Sequence, residues 1–300
     1  MKEQATRFLV RTQNPDGGWG SQPGKQSNTE STAFALLALS ALGEKTLNKS
    51  VGQGLSWLAN NQNKNGSFPF TAGLKQGSWA SAVAILALHS FETHRPLAQR
   101  CAEWLLRQKG RSLGLLASLQ YWLVPEENLV KLDPFLKGWP WTSGSFSWVE
   151  PTAYSLIALK KIKRHLNQEQ LTRRIREGEL MIYDRMCVGG GWNYGNSNIL
   201  GENLWPYPDI TALALIALQD HPANPANQLS VKVLQRMLGE NHSGLALGWS
   251  CICFALYGQE VSPWISRLEK SYSQTEFLGE TKSIALGLLA LVHRPEAFRI

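Results

Sequence analysis

Residues 32–39 read TAFALLAL, and the pattern returns as SAVAILAL at 81–88, TAYSLIAL at 152–159 and TALALIAL at 211–218. Two weaker copies follow, WSCICFAL at 249–256 and IALGLLAL at 284–291. A segment that is apolar almost all round cannot lie on a surface, so each copy predicts a helix covered on every side. The segments upstream differ in kind. KEQATRFLVRTQ (2–13), VGQGLSWLANNQ (51–62), RCAEWLLRQK (100–109) and SVKVLQRMLGE (230–240) place apolar residues at helical spacing on one face only. The repeating unit is an amphipathic helix, a turn-rich loop and a buried helix.

The loops carry a motif of their own. QNPDGGWG (13–20) returns as QNKNGSF (62–68), with later fragments SGSFSW (143–148) and GGGWNYG (189–195). Asn-Pro-Asp-Gly and Asn-Lys-Asn-Gly are turn chemistry. The glutamine that ends the outer helix can reach the last carbonyls or the next turn, and the aromatic ring packs back over the helix end. The motif reads as a staple between consecutive helix pairs. Buried helices inside and amphipathic helices outside, repeated around a ring, make an all-α protein, an α/α toroid. Six pairs are clear. The stretch 114–136 is a seventh pair or an insertion, so twelve to fourteen helices and almost no strand are expected. No linker divides the chain, which is read as one domain over 1–300.

Bulk properties set the bounds. The 300 residues are 43% hydrophobic and 18% charged, ordinary for a globular protein, but 12 are Trp. The net charge is +7, and part of the excess sits between Lys160 and Arg176. That stretch reads as a helix C-terminus followed by a solvated outer helix. No nucleic-acid module accompanies it, so no nucleic-acid partner is expected. The four cysteines, Cys101, Cys187, Cys251 and Cys253, form no C-x-x-C and suggest reduced thiols in a cytoplasmic protein. The polar start, MKEQATRFLV, is unlike a signal peptide, and the apolar runs are too short to span a bilayer.

Q-x-x-x-G-x-W loops followed by T-A-rich buried helices resemble the repeats of squalene-hopene and oxidosqualene cyclases and of protein prenyltransferase β subunits. The resemblance covers essentially the whole chain, and it implies the toroid fold and a cavity for a polyprenyl or triterpenoid-type substrate. In such cyclases the acid that protonates the polyene lies in a D-x-T-A register. Two residues before the T-A pair stand Glu30, Glu150 and Asp209. The resemblance thus points to Asp209, then Glu150, as catalytic acids, with Glu30 at the equivalent point of the first repeat. Trp139, Trp141, Trp148, Trp192, Tyr194, Trp205 and Tyr207 fall in the loops leading to Glu150 and Asp209 and are read as substrate-binding rings.

Plainer readings stand beside these. Asp209 is a favoured helix cap, whereas Glu150, set before Pro151, would be a poor one. A tryptophan in a repeat staple is ordinary packing. The departures from the family also matter. Tyr207-Pro208-Asp209-Ile210 holds one acid where bacterial cyclases carry D-x-D-D. Cys251-x-Cys253 lacks the aspartate of the prenyltransferase zinc set, and residues two apart on a helix point about 200° apart. No metal and no cofactor are expected. The expected partner is a hydrophobic small molecule, an isoprenoid or lipid, with peripheral membrane contact and oligomeric state left open. The alternatives to a cyclase are a non-catalytic binder of an isoprenoid, lipid or peptide, and a carbohydrate-active toroid.

Overall fold

The computed structural model describes residues 1–111, 132–239 and 243–300. Among these residues lie twelve α-helices: α1 (Lys2–Arg11), α2 (Thr29–Leu42), α3 (Asn48–Asn61), α4 (Ala80–His89), α5 (Arg95–Arg107), α6 (Val149–Lys161), α7 (Gln168–Asp184), α8 (Pro208–Ala217), α9 (Pro225–Met237), α10 (Gly244–Leu256), α11 (Ser262–Thr275) and α12 (Thr281–Leu291). A two-residue hairpin, β1 (Asn198–Ile199) with β2 (Glu202–Asn203), is the named strand pair. The even-numbered helices pack in order, α2 on α4, α4 on α6, α6 on α8, α8 on α10, α10 on α12, and α12 back on α2. The odd-numbered helices lie outside them, and each inner helix packs on the outer helix that follows it. The ring is an α/α toroid of six pairs. The expected seventh pair falls, over 114–131, outside the described residues.

A set of repeated hydrogen bonds holds the loops to this ring. The backbone N–H of Trp19, Phe68, Trp139 and Trp192 donates to the hydroxyl of Thr32, Ser81, Thr152 and Thr211 respectively, at 2.9–3.0 Å. Those hydroxyls are the first residue of each T-A copy. The indole N–H groups of Trp19, Trp139 and Trp192 donate to Leu9 O, Leu105 O and Ile182 O, near the C-terminal ends of the preceding outer helices. Each tryptophan therefore ties an outer helix, its loop and the next inner helix at one point. Gln13 and Gln62 do not cap their own helices. Their side-chain amides donate to Gly17 O and Gly66 O in the loop and to Ser50 O and Leu97 O at the next outer helix. Gly54 and Gly178 let the rings in close, since a Cβ there would come within 2.7 Å of Trp19 and Trp139.

Lys163, Arg164, Arg173 and Arg176 of the basic stretch are exposed, as a solvated face requires, but two of its members are buried. Lys160 is buried and bridges Glu179 and Asp220 at 2.6 and 2.7 Å. Arg174 is buried over the Trp139 ring, 4.1 Å from its centroid, and donates to Lys137 O, Gln108 O and Gly138 O. It supplies the third repeat with the carbonyl bridge that glutamine makes in the first two.

The hub is filled rather than hollow at mid-height. Counted from the helix starts, Phe34, Tyr154 and Trp249 occupy the same position on α2, α6 and α10, alternate members of the ring. Their centroids lie 5.8–6.3 Å apart, a triangle of aromatic rings meeting inside the toroid. This count also moves the fifth repeat copy two residues earlier than the WSCICFAL match, which paired Trp249 with Thr32. Phe298 closes the far side, 5.0 Å from Trp249, and its carbonyl accepts from Gln219.

Removing one staple hydroxyl tests how much the arrangement depends on it. Thr152→Val leaves a buried Trp139 N–H without an acceptor, and we expect a loss of about 1–3 kcal/mol in urea unfolding. A loss below about 0.5 kcal/mol, the level of an ordinary surface substitution, would contradict the staple.

Candidate functional site

The inner helices begin at one face of the ring, and their second residues form its mouth. Four of these six are charged: Glu30 on α2, Glu150 on α6, Asp209 on α8 and Lys282 on α12. Lys282 was not singled out from the sequence, yet it stands two before Ile284, the same offset that marks the three acids. Its ammonium lies 2.7 Å from Glu30 Oε1 and 3.4 Å from Glu150 Oε1. It also lies 5.6 Å from the ring centroids of Phe34 and Tyr154 and 5.8 Å from that of Trp79. Trp79 itself fills the corresponding place of the second repeat, two residues before Ser81. It stacks on Tyr154 at 5.4 Å and meets Trp141 edge-on at 5.0 Å.

Burial and charge oppose one another in this cluster. Burial pushes the Glu150 carboxyl up from its ordinary range; Lys282 pulls it down, and Glu30 and Asp209 push it up further. Burial acts to lower Lys282, but Glu30, Tyr154 and Glu150 together outweigh it and hold the ammonium well above the usual lysine value. Burial, then Asp209 and Glu150, also push the Tyr194 phenol up. Tyr194 donates its hydroxyl to Asp209 Oδ2 at 3.0 Å, so a second acid–aromatic pair adjoins the first.

Each acid sits in a first helical turn, where negative charge suits the helix dipole. None is the N-cap. Trp148 precedes α6, which places Glu150 inside the helix and Pro151 one residue further on. Tyr207 is the N-cap of α8, and Asp209 accepts from the Tyr194 hydroxyl. The geometry therefore removes the capping account of both.

The aromatic residues divide into two groups. Trp139 and Trp192 are fully buried in the wall as staples, bonded through their indoles to outer helices, and do not line the mouth. Trp141 packs on Trp79 at the mouth, and Trp148 packs against Gly195. Tyr194 and Tyr207 face each other at 5.7 Å and are both exposed, while Trp205, beyond the hairpin, is 83% exposed. Phe70, Phe146 and Leu200 are exposed in the same set of loops. The crevice bounded by Trp79, Trp104, Trp139 and Trp141 holds only about 10 Å³, room for at most one water. Among the described residues, the exposed ring surface thus lies in the mouth loops, and the crevice beside Trp141 is too small for a ligand.

A second charged group, Glu179, Asp220 and His221, has its ligand-type atoms within 4.8 Å of one another on the outside of the ring. Lys160 already pairs with both carboxylates there. The four cysteines are buried free thiols, and burial pushes Cys101, Cys251 and Cys253 up, with Cys251 at about 12. Among the described residues no helix is long and apolar enough to cross a membrane.

The mouth cluster makes a signed prediction. Lys282 gains proton affinity on folding, so its contribution is complete below the usual lysine value and is lost only as pH rises through the folded one. Glu150 also gains proton affinity on folding, so its contribution is greatest below the ordinary carboxylate range and falls as pH rises. Lys282→Met leaves two shielded carboxylates unpaired and should cost about 3–5 kcal/mol at neutral pH in urea unfolding. Near pH 4.5, the ordinary value for Glu150, protonation relieves the repulsion and the loss should shrink. An equal loss at both pH values would contradict the electrostatic account.

Comparison with known proteins agrees with this architecture. Residues 1–118 match the prenyltransferase alpha-alpha toroid domain. A 42-residue stretch is 57% identical to drimenyl diphosphate synthase of Streptantibioticus cattleyicolor, covering 14% of this chain and 8% of that protein. A 106-residue stretch is 31% identical to squalene–hopene cyclase of Zymomonas mobilis subsp. mobilis, covering 32% of this chain and 16% of that protein. The chain thus matches less than a fifth of the length of either. Among solved structures, the endo-β-1,4-glucanase CMCax of Acetobacter xylinum aligns over 99% of this chain and 98% of its own with a TM-score of 0.62, at 12% identity, a likeness of fold alone. The protein is an α/α toroid whose first 118 residues match the prenyltransferase alpha-alpha toroid domain.

Proposed function

We propose that the protein binds an isoprenoid or similarly apolar ligand across the mouth of its hub, as a binder rather than a cyclase. One observation carries this reading. The hub beneath the mouth is filled by Phe34, Tyr154 and Trp249, while Tyr194, bonded to Asp209, and its neighbour Tyr207 are left exposed, as is Trp205 two residues earlier in the chain. An apolar chain laid on those rings would remove exposed aromatic surface from water, about 25 cal/mol for each Å² covered. Exposed rings on a soluble face are otherwise unfavourable, and their concentration in the mouth loops marks an interaction site.

Acid-initiated cyclisation is the second reading. The raised proton affinity of Glu150 favours it, since a general acid must hold its proton near working pH. Against it, the ammonium of Lys282 stands between Glu150 and the aromatic rings, in the place a reacting substrate would need. Asp209, with Tyr194 donating to it, is the alternative acid on this reading. A carbohydrate ligand would also stack on Trp205, but the glucanase likeness extends to the fold only.

Farnesol, followed by tryptophan fluorescence and native mass spectrometry, should bind saturably with one ligand per chain. Trp205→Ala should weaken it at least tenfold without lowering stability, because the ring is exposed in the free protein. No saturable farnesol binding, or tighter binding of cellohexaose in the same assay, would overturn the reading. Formation of a cyclised product from squalene by the wild type, abolished in Glu150→Gln or Asp209→Asn, would establish the cyclase instead.

A further inference from the structure

Lys282 is a charged side chain that the fold has taken out of water and placed against three aromatic faces. A lysine in the first turn of α12 lies at the wrong end of the helix dipole. Its ammonium is nonetheless held by Glu30 and Glu150 on one side and by the rings of Phe34, Trp79 and Tyr154 on the other. Carboxylates with ring faces within about 6 Å are the surroundings that proteins use to hold organic ammonium ions. The Tyr154 hydroxyl is fully buried among Lys282, Glu150 and Glu30 and completes no hydrogen bond of good geometry, so a polar atom in the same cluster is left unsatisfied. The field of the mouth favours a cation strongly enough to overcome the burial of Lys282.

That charge balance is not closed by Lys282 alone. The mouth carries three carboxylates against one ammonium at its second-residue positions, and the lysine is paired to two of them. Asp209 is the third. Its hydrogen-bond partner is Tyr194, a neutral donor, whose exposed ring lies 5.7 Å from the exposed ring of Tyr207. Asp209 with these two rings repeats, in open form, the carboxylate-and-ring arrangement that Lys282 fills from within. We propose that the mouth is an organic-cation site, and that its ligand is an ammonium group on an apolar chain, the ammonium lying against Asp209, Tyr194 and Tyr207. The proposal rests on the reading that an apolar ligand lies at the mouth, and adds the charge of its head.

Two probes with one hydrocarbon chain separate the claims: N,N,N-trimethylgeranylammonium and geraniol, titrated at low salt by tryptophan fluorescence and calorimetry. The ammonium should bind the wild type at least tenfold tighter than geraniol. Asp209→Asn, which alters a partly exposed group and keeps its shape, should bring the ratio of the two affinities close to one. Tyr194→Ala should weaken the ammonium more than geraniol, since the alcohol has no charge for the ring face to attract. Equal binding of the two probes to the wild type, or a preference that survives Asp209→Asn, would overturn the cation site while leaving apolar binding intact. Failure of both probes to bind would remove the cation site and the apolar reading together.

Discussion

The structure depends on one repeated constraint: the N–H of a loop aromatic residue must find the hydroxyl of the next inner helix. Thr32, Ser81, Thr152 and Thr211 all accept such a bond, and all are buried. A buried N–H without a partner is costly, so each loop has one favourable path over the ring. Fixing that path fixes the helix start. Fixing the start places the second residues Glu30, Glu150 and Asp209 at the mouth together. The functional cluster is a consequence of the staple and not a separate design. This is why acids far apart in sequence share one electrostatic environment with Lys282.

Much of this could be read from the chain. The T-A copies gave the inner helices because apolar character all round admits no other placement. The offset of two residues before T-A gave three of the four charged mouth residues. Lys282 shares that offset, but its copy begins with Ile284 in place of threonine, and the register was followed only where T-A was intact. Trp139 and Trp192 were read as ligand rings because a sequence shows that a tryptophan is present and not which way it faces. Their alignment with Trp19 was the available signal for a wall position. The filled hub was hidden for a similar reason. Phe34 and Tyr154 fall in register, but Trp249 does so only once the fifth copy is shifted by two residues.

A ring of parallel buried helices sets six positive helix ends at one mouth. Carboxylates there offset those ends, and that alone would justify Glu30, Glu150 and Asp209. It does not justify Lys282, whose own positive charge adds to those ends. The lysine, the stacked rings of Trp79 and Tyr154, and the partner-poor Tyr154 hydroxyl are the features on which the proposed cation site rests. On this account the chain shares the toroid frame of cyclase repeats, with its hub filled by Phe34, Tyr154 and Trp249.

The most direct test is a ¹⁵N-resolved NMR titration of the Lys282 side chain. A buried ammonium held by Glu30 and Glu150 over three ring faces should show ring-current-shifted methylene protons and remain charged well past the ordinary lysine value of 10.5. Unshifted methylene signals and a titration at 10.5 alongside the surface lysines would show that no such cluster exists at the mouth.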